Sequence, residues 1–130
     1  MSQDNVAVVR RGIEAFRRGD WESIADVIDP HISIRTDTSW PEQRIYGREA
    51  ALAFYRGIAE SGGSDTHIEE AVDLGDRVLV RLRWHMRGSH SDVEGDQCYS
   101  VISTLCDRRV VLEEFFLDHE HALKAVGLEE

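Results

Sequence analysis

One stretch of the sequence, Arg77 to Arg87, limits the possible folds more than any other. An apolar row alternates there with a mainly basic row: Val78, Val80, Leu82, Trp84 and Met86 against Leu79, Arg81, Arg83, His85 and Arg87. A period of two puts the two rows on opposite faces of a β-strand, whereas a helix would scatter the arginines around its whole circumference. We therefore expect a long, half-buried strand whose apolar row is covered by the rest of the chain.

The length and the composition favour one domain over residues 1–130. A chain of 130 residues with 42% hydrophobic content is near the usual size of a single domain. Its net charge of −10 opposes nucleic-acid phosphates and acidic membrane surfaces, so we expect neither as a partner. No apolar run approaches the ~20 residues of a membrane span, and the N-terminus does not resemble a signal peptide.

The two cysteines, Cys98 and Cys106, fall in one predicted strand. At roughly 3.3 Å per residue they would lie about 26 Å apart, which is too far for a disulfide. Free thiols suit a reducing compartment, so we expect a cytoplasmic protein.

Helical and strand periodicities on both sides of the central strand predict an α+β chain with the order α-α-β-β-α-β-β-β-β-α. The predicted elements are a helix through Val6, Val9, Ile13 and Phe16 ended by Gly19; a helix from Trp21, including Ile24 and Ile28, capped by Asp20 and ended by Pro30; a strand through Ile32, Ile34 and Thr36; a strand from Arg44 to Tyr46; a helix from Arg48 to about Glu60; strands His67 to Leu74, Arg77 to Arg87, Gln97 to Cys106 and Val110 to Asp118; and a helix from His119 to Val126. We expect the helices to lie on one face of a curved antiparallel sheet.

Three groups of residues then resemble one family. They are Gly19-Asp20-Trp21; Gly47-Arg48-Glu49-Ala50 before Phe54-Tyr55; and Phe115-Phe116-Leu117-Asp118 followed by Ala122 to Leu128. The chain resembles the SnoaL-like members of the NTF2-like superfamily over essentially its full length. This resemblance implies a cone of helices wrapped by a bent sheet, an internal apolar pocket, and dimerisation through the outer face of the sheet. It implies kinship with polyketide cyclases and ketosteroid isomerases, but not one activity.

The active-site positions of those relatives do not transfer well to this sequence. The three ketosteroid isomerase positions fall near Gly12, Thr36 and Val101, and only Asp37, one residue from the second, offers a weak catalytic candidate. The acid/base aspartate of the cyclases is replaced by Phe115. The aspartate–arginine–aspartate set of the epoxide hydrolases has no counterpart in the apolar row of the central strand.

Strand alternation and the helix faces predict which side chains point inward, and the resemblance implies a pocket between them, although the same residue types would suit a filled core. The expected lining is Phe16, Thr36, Trp40, Phe54, Tyr55, Val80, Leu82, Trp84, Met86, Tyr99, Val101, Ser103, Phe115 and Leu117. We expect no metal and no cofactor, because His119 and His121 diverge on a helix and the other histidines lack ligand spacing.

Hairpin turns set the register of the last four strands. Gly75-Asp76 is a two-residue turn signal that places Glu70 opposite Arg81. For the second hairpin we expect a three-residue turn at residues 107–109, which pairs Ser103 with Glu113; a two-residue turn would direct Glu114 inward instead.

Glu113 is our candidate acid/base residue. Inside the pocket, with only Ser103 or Tyr99 as partners, its carboxyl would be desolvated and its pKa raised. The alternative, that it pairs with an arginine at the pocket edge or reaches solvent, remains equally open.

We expect the protein to bind a small, largely apolar molecule, with cofactor-independent isomerase, cyclase or dehydratase chemistry as one possibility. The alternative is a non-catalytic module for ligand binding or dimerisation. A homodimer is expected through an exposed apolar patch on the outer sheet face, made of Leu79, Ile102, Leu112 and Phe116.

Overall fold

The computed structural model describes residues 2–36, 44–60, 65–87 and 94–128, although the side chains of residues 2, 3, 86, 87, 94 and 95 are not described. In these ranges the chain forms four helices and six strands in the predicted order. They are α1 (Ser2–Arg18), α2 (Trp21–Val27), β1 (Ile28–Arg35), β2 (Arg44–Tyr46), α3 (Arg48–Ile58), β3 (Thr66–Asp73), β4 (Arg77–Arg87), β5 (Glu94–Cys106), β6 (Arg109–Phe116) and α4 (His119–Ala125). None of the helices in the described ranges has the length and apolar character needed to cross a membrane.

The strands form one open sheet in the order β2-β1-β6-β5-β4-β3. The expectation of a wholly antiparallel sheet was wrong at one place, because β1 pairs with β6 in parallel. Parallel neighbours need a long connection between them, and here the chain from β2 to β5 supplies it. The fold is therefore α+β, as predicted, with a mixed sheet.

The second helix is shorter than predicted. Asp20 caps it as expected, because its carboxylate accepts a hydrogen bond from the backbone N–H of Ser23 at 3.2 Å. The helix ends at Val27 rather than at Pro30, and Ile28 already belongs to β1. Pro30 lies where the register between β1 and β6 shifts, a position at which its missing N–H is tolerated.

The first hairpin confirms the predicted register. Gly75 adopts a φ of 86° in the turn between β3 and β4, a conformation that glycine reaches without strain. Glu70 stands opposite Arg81.

The second hairpin has the predicted register, but its turn differs from the predicted one. Its turn has two residues rather than three, since Cys106 pairs with Arg109 and both Asp107 and Arg108 have positive φ angles. That turn alone would bring Glu114 to the inner face. A bulge follows at once, because Leu105 pairs with Val110 whereas Thr104 pairs with Leu112. The extra residue in β6 restores the pairing of Ser103 with Glu113.

The inner face of the sheet carries the main core. Val78, Val80 and Leu82 of β4 are at most 4% exposed, as their alternation predicted. Helices α1, α2 and α3 contribute the apolar side chains that meet this row, among them Ala15 and Ala51, which are fully buried.

The outer face is covered in part by the chain's own last helix. Leu79 and Ile102 are 1% and 0% exposed and share a cluster with Ala122 of α4. The Oγ of Ser100 and the Nδ1 of His119 also lie 2.6 Å apart across this contact. The expected exposed patch was therefore wrong for Leu79 and Ile102, because the alternation of β4 and β5 could not show where α4 docks. Phe116 packs against the same cluster, and Leu112 is half-buried. Dimerisation stays a prediction from the resemblance.

We predict that Leu79→Ala lowers the free energy of unfolding by about 2–4 kcal/mol, because the truncation leaves a cavity between the sheet and α4. Arg81→Ala, two residues along on the same face, is the matched control and should change it by less than about 0.5 kcal/mol. Urea unfolding at a fixed pH measures both. Equal effects of the two substitutions would contradict the burial of Leu79 beneath α4.

Candidate active site

A cavity lies between α1, α2, α3 and the inner face of the sheet. The volume of this cavity is about 90 Å³. That is several times the roughly 10–15 Å³ that one water needs. The lining is Val8, Val9, Gly12, Ile13, Phe16, Ile24, Val27, Ile28, Tyr55, Ile58, Thr66, Val80, Leu82, Tyr99, Val101, Ser103, Val110, Glu113 and Phe115. The polar side chains in this set are Tyr55, Thr66, Tyr99, Ser103 and Glu113.

Glu113 supplies the carboxyl group of this lining. The bulge in β6 brings it to the inner face opposite Ser103, and the Tyr55 hydroxyl donates a hydrogen bond to its Oε1. Burial raises the pKa of the Glu113 carboxyl from 4.5 to about 7, and the hydrogen bond from Tyr55 opposes that rise. The side chain keeps some accessible surface, consistent with its place in the cavity wall.

Tyr55 is held by other aromatic rings. Its ring lies 6.5 Å from that of Phe16 and 5.9 Å from that of Phe54, measured between ring centroids. Burial, and then the negative charge of Glu113, raise the pKa of Tyr55 well above its ordinary value. Tyr55 is therefore a hydrogen-bond donor to Glu113 throughout the physiological pH range.

Tyr99 and Thr66 bring a second polar pair to the same cavity. Burial raises the pKa of Tyr99, a hydrogen bond with the Thr66 side chain opposes this, and the charge of Glu113 adds to the rise. The ring of Tyr99 is stacked on Phe115 at a centroid distance of 6.3 Å. Thr66 and Ser103 are each 1% exposed. The cavity therefore presents one carboxyl and several hydroxyl groups within an otherwise apolar wall.

The structure brings most of the expected pocket residues to this cavity. They are Phe16, Tyr55, Val80, Leu82, Tyr99, Val101, Ser103 and Phe115, together with the catalytic candidate Glu113. Phe54 stands behind the wall, with its ring against Tyr55 and, at 5.6 Å, against Phe115. That any of these residues binds a ligand stays a prediction.

Besides Phe54, three of the expected pocket residues do not line the cavity. Thr36 follows the last residue of β1, and Trp84 lies on β4 beyond Leu82, where the cavity wall ends. Leu117 follows the last residue of β6, so it leaves the alternation; it is 36% exposed and lines a groove on the outer side with Arg81 and His119. Asp37, Trp40 and the side chain of Met86 lie outside the described residues.

The sequence did not predict the partner of Glu113 or the place of Thr66 in the site. The first is the partner of Glu113, which is Tyr55 on a helix 58 residues earlier rather than Ser103 or Tyr99. No local pattern connects two residues so far apart. The second is Thr66, which precedes the predicted start of β3 by one residue. Apart from Phe16, the sequence predicted the α1 residues of the lining only as the apolar face of a helix, not as part of a pocket.

A metal site does not emerge from the described part of the chain. Within it no group of three or more histidine, cysteine, aspartate or glutamate side chains could hold an ion. His121 lies 3.7 Å from the carboxylate of Asp118, and both cysteines are free and exposed.

We predict that burial of Glu113 makes stability depend on pH. The pKa of its carboxyl is about 7 in the folded chain and 4.5 as an ordinary carboxyl, so the folded state holds the proton more tightly. The stability gained from this tighter binding of the proton is therefore fully present below pH 4.5 and is lost as the pH rises through about 7. Between pH 4.5 and 8 the free energy of unfolding of the wild type should fall, relative to Glu113→Gln, by up to about 3 kcal/mol. Parallel pH profiles for the two proteins would contradict this burial.

We also predict that Tyr55→Phe destabilises the protein more at pH 8 than at pH 5. A hydrogen bond to an ionised carboxylate contributes about 1.5–3 kcal/mol, against about 0.5–1.5 kcal/mol for a neutral acceptor. Urea unfolding at the two pH values measures the difference. Tyr46→Phe, at a tyrosine that is 65% exposed, is the control and should show no pH-dependent loss. The same loss at both pH values would contradict the contact with ionised Glu113.

Comparisons with known proteins agree with this architecture. The family described as "SnoaL-like domain" matches residues 9–112. No curated protein matches the sequence.

Among solved structures, the chain is similar to Bal32a from a soil-derived mobile gene cassette, with a TM-score of 0.78, 21% identity and 88% of each chain covered. A protein from Jannaschia sp. CCS1, provisionally described as a SnoaL-like polyketide cyclase, has a TM-score of 0.78 and 20% identity over 100% of this chain and 96% of that one. A protein from Kribbella flavida, provisionally described as a ketosteroid isomerase, has a TM-score of 0.73 and 16% identity over 88% of this chain and 78% of that one. At sequence identities this low, these structural similarities establish the fold of the chain and nothing beyond it.

Proposed function

Since the chain belongs to the SnoaL-like domain family, we propose that it binds a small, largely apolar molecule in the cavity and that Glu113 and Tyr55 engage the polar group of that molecule. The observation that carries the proposal is a buried carboxyl in a wall otherwise made of apolar and hydroxyl side chains. Such a wall excludes water from most of a ligand's surface and leaves one place where a charge or a proton can be exchanged.

The proposed chemistry is acid/base catalysis without a cofactor. A carboxyl with a pKa of about 7 is near half ionised at neutral pH, so it can take a proton from a substrate and return it. Tyr55 remains protonated and positions the carboxylate through its hydrogen bond. Tyr99 and Ser103 offer hydroxyl groups to a substrate oxygen. An isomerase, cyclase or dehydratase would need only these groups.

Two solved structures of similar fold support this class of reaction, since they are provisionally described as a polyketide cyclase and a ketosteroid isomerase. Their identities of 20% and 16% do not extend the argument to individual residues. The catalytic assignment of Glu113 therefore depends on its place in this cavity. Asp37, outside the described residues, stays a weaker candidate.

A non-catalytic ligand-binding module is the second candidate. The mainly apolar wall supports it, because the burial of a small molecule's apolar surface needs no catalytic group. Both candidates need the cavity. They differ in whether Glu113 changes its protonation during a turnover.

We predict that Glu113→Gln separates the two candidates. If Glu113 is the catalytic acid/base, the variant should retain ligand binding and lose turnover by roughly 10²–10⁴-fold, the usual size of an acid/base contribution. Mass spectrometry of the natively purified protein identifies the ligand for the assay. Glu114→Gln, on the opposite face of the same strand, is the matched control. Full activity of Glu113→Gln would contradict the catalytic role.

A further inference from the structure

We infer that the ligand of the cavity is a small amine whose positively charged nitrogen lies against the Glu113 carboxylate, with a compact apolar body between the aromatic side chains. The inference rests on the proposed binding of a small molecule in this cavity and narrows its ligand class. It does not depend on whether the ligand is turned over.

Glu113 has no cationic partner in the described part of the chain. The sequence contains 15 lysines and arginines, and every one except Arg87 has a described side chain; none of these lines the cavity. The titratable groups that face Glu113 are Tyr55 from α3 and Tyr99 from β5. The lining residues of α1, α2, β1, β3 and β4 carry no ionisable group.

A buried carboxylate in this position is costly unless a positive charge comes close to it. Tyr55 gives a hydrogen bond to Oε1 but no charge. A carboxylate can accept about four hydrogen bonds, so Glu113 has capacity for further donors. The N–H groups of an ammonium would supply both the donors and the missing charge.

The cavity wall also has a marked aromatic character. Phe16, Tyr55, Tyr99 and Phe115 all line the cavity, and their rings form two contacting pairs, Phe16 with Tyr55 and Tyr99 with Phe115. The faces of aromatic rings attract cations through their quadrupole, and this attraction is strongest where water is excluded. A carboxylate set among such rings suits an ammonium better than a neutral polar group.

Other ligand charges fit the cavity less well. An anion would place a second negative charge near Glu113, with no described lysine or arginine in the wall to offset it. A neutral ligand would leave the carboxylate without a counter-charge. A bound ammonium would lower the pKa of Glu113 and thereby keep this carboxyl ionised at neutral pH. The cavity volume of about 90 Å³ limits the apolar part of the ligand to a compact group.

The test uses three probes of similar shape and different charge: benzylamine, benzyl alcohol and benzoate. Their dissociation constants are measured at pH 8 by NMR titration of the full chain. Benzylamine should bind at least ~10-fold more tightly than benzyl alcohol, and benzoate should be the weakest. Glu113→Gln should abolish the preference for the amine over the alcohol. Glu114→Gln should keep the preference.

A second measurement covers the case in which Glu113→Gln fails to fold. The wild type at pH 5.5 carries mostly neutral Glu113, so its preference for benzylamine over benzyl alcohol should shrink. Equal affinities at pH 8, or a preference unchanged by pH and by the substitution, would overturn the inference while leaving ligand binding in the cavity intact. If none of the three probes binds, the inference is overturned, whereas the proposed function is tested separately by the ligand identified in the natively purified protein.

Discussion

The hydrogen bond between Tyr55 and Glu113 joins the helical layer to the sheet across the cavity. Burial penalises the charge of Glu113 at this place. Removing Tyr55 would therefore leave a buried carboxylate without this donor, and removing Glu113 would leave a buried hydroxyl without this acceptor. The rings of Phe16 and Phe54 hold Tyr55 in place, and Phe54 also contacts Phe115 beside Glu113 on β6. The position of the carboxyl thus depends on α1, α3 and β6 together.

The face on which Glu113 lies depends on two features of the β5–β6 hairpin, a short turn and a bulge, whose effects on the register cancel. A two-residue turn at Asp107 and Arg108 would have exposed Glu113 on the outer face, but the bulge just after the turn reverses this. The expected three-residue turn predicted the correct pairing of Ser103 with Glu113, although the turn itself has two residues. Bulges leave no mark in the periodicity of a strand, so the compensation could not be seen in the sequence.

The order and the type of the elements could be predicted because each depends on short-range periodicity. The alternation of Val78, Val80 and Leu82 depends only on neighbouring residues, and so does the cap at Asp20. The burial of Leu79 and Ile102 under α4 could not be predicted, since it depends on where a distant helix docks. The same holds for the cavity, because apolar rows look alike in a filled core and around an empty space.

Titration of Glu113 distinguishes a carboxyl buried in the wall of an apolar cavity from one in water. Carbon-13 NMR of the side-chain carboxyl carbons, with Glu113 assigned through the Glu113→Gln spectrum, follows the ionisation of this one group. We expect a midpoint near 7, well above the ordinary 4.5. A midpoint close to 4.5 would place the carboxyl in water and contradict its burial in the cavity wall.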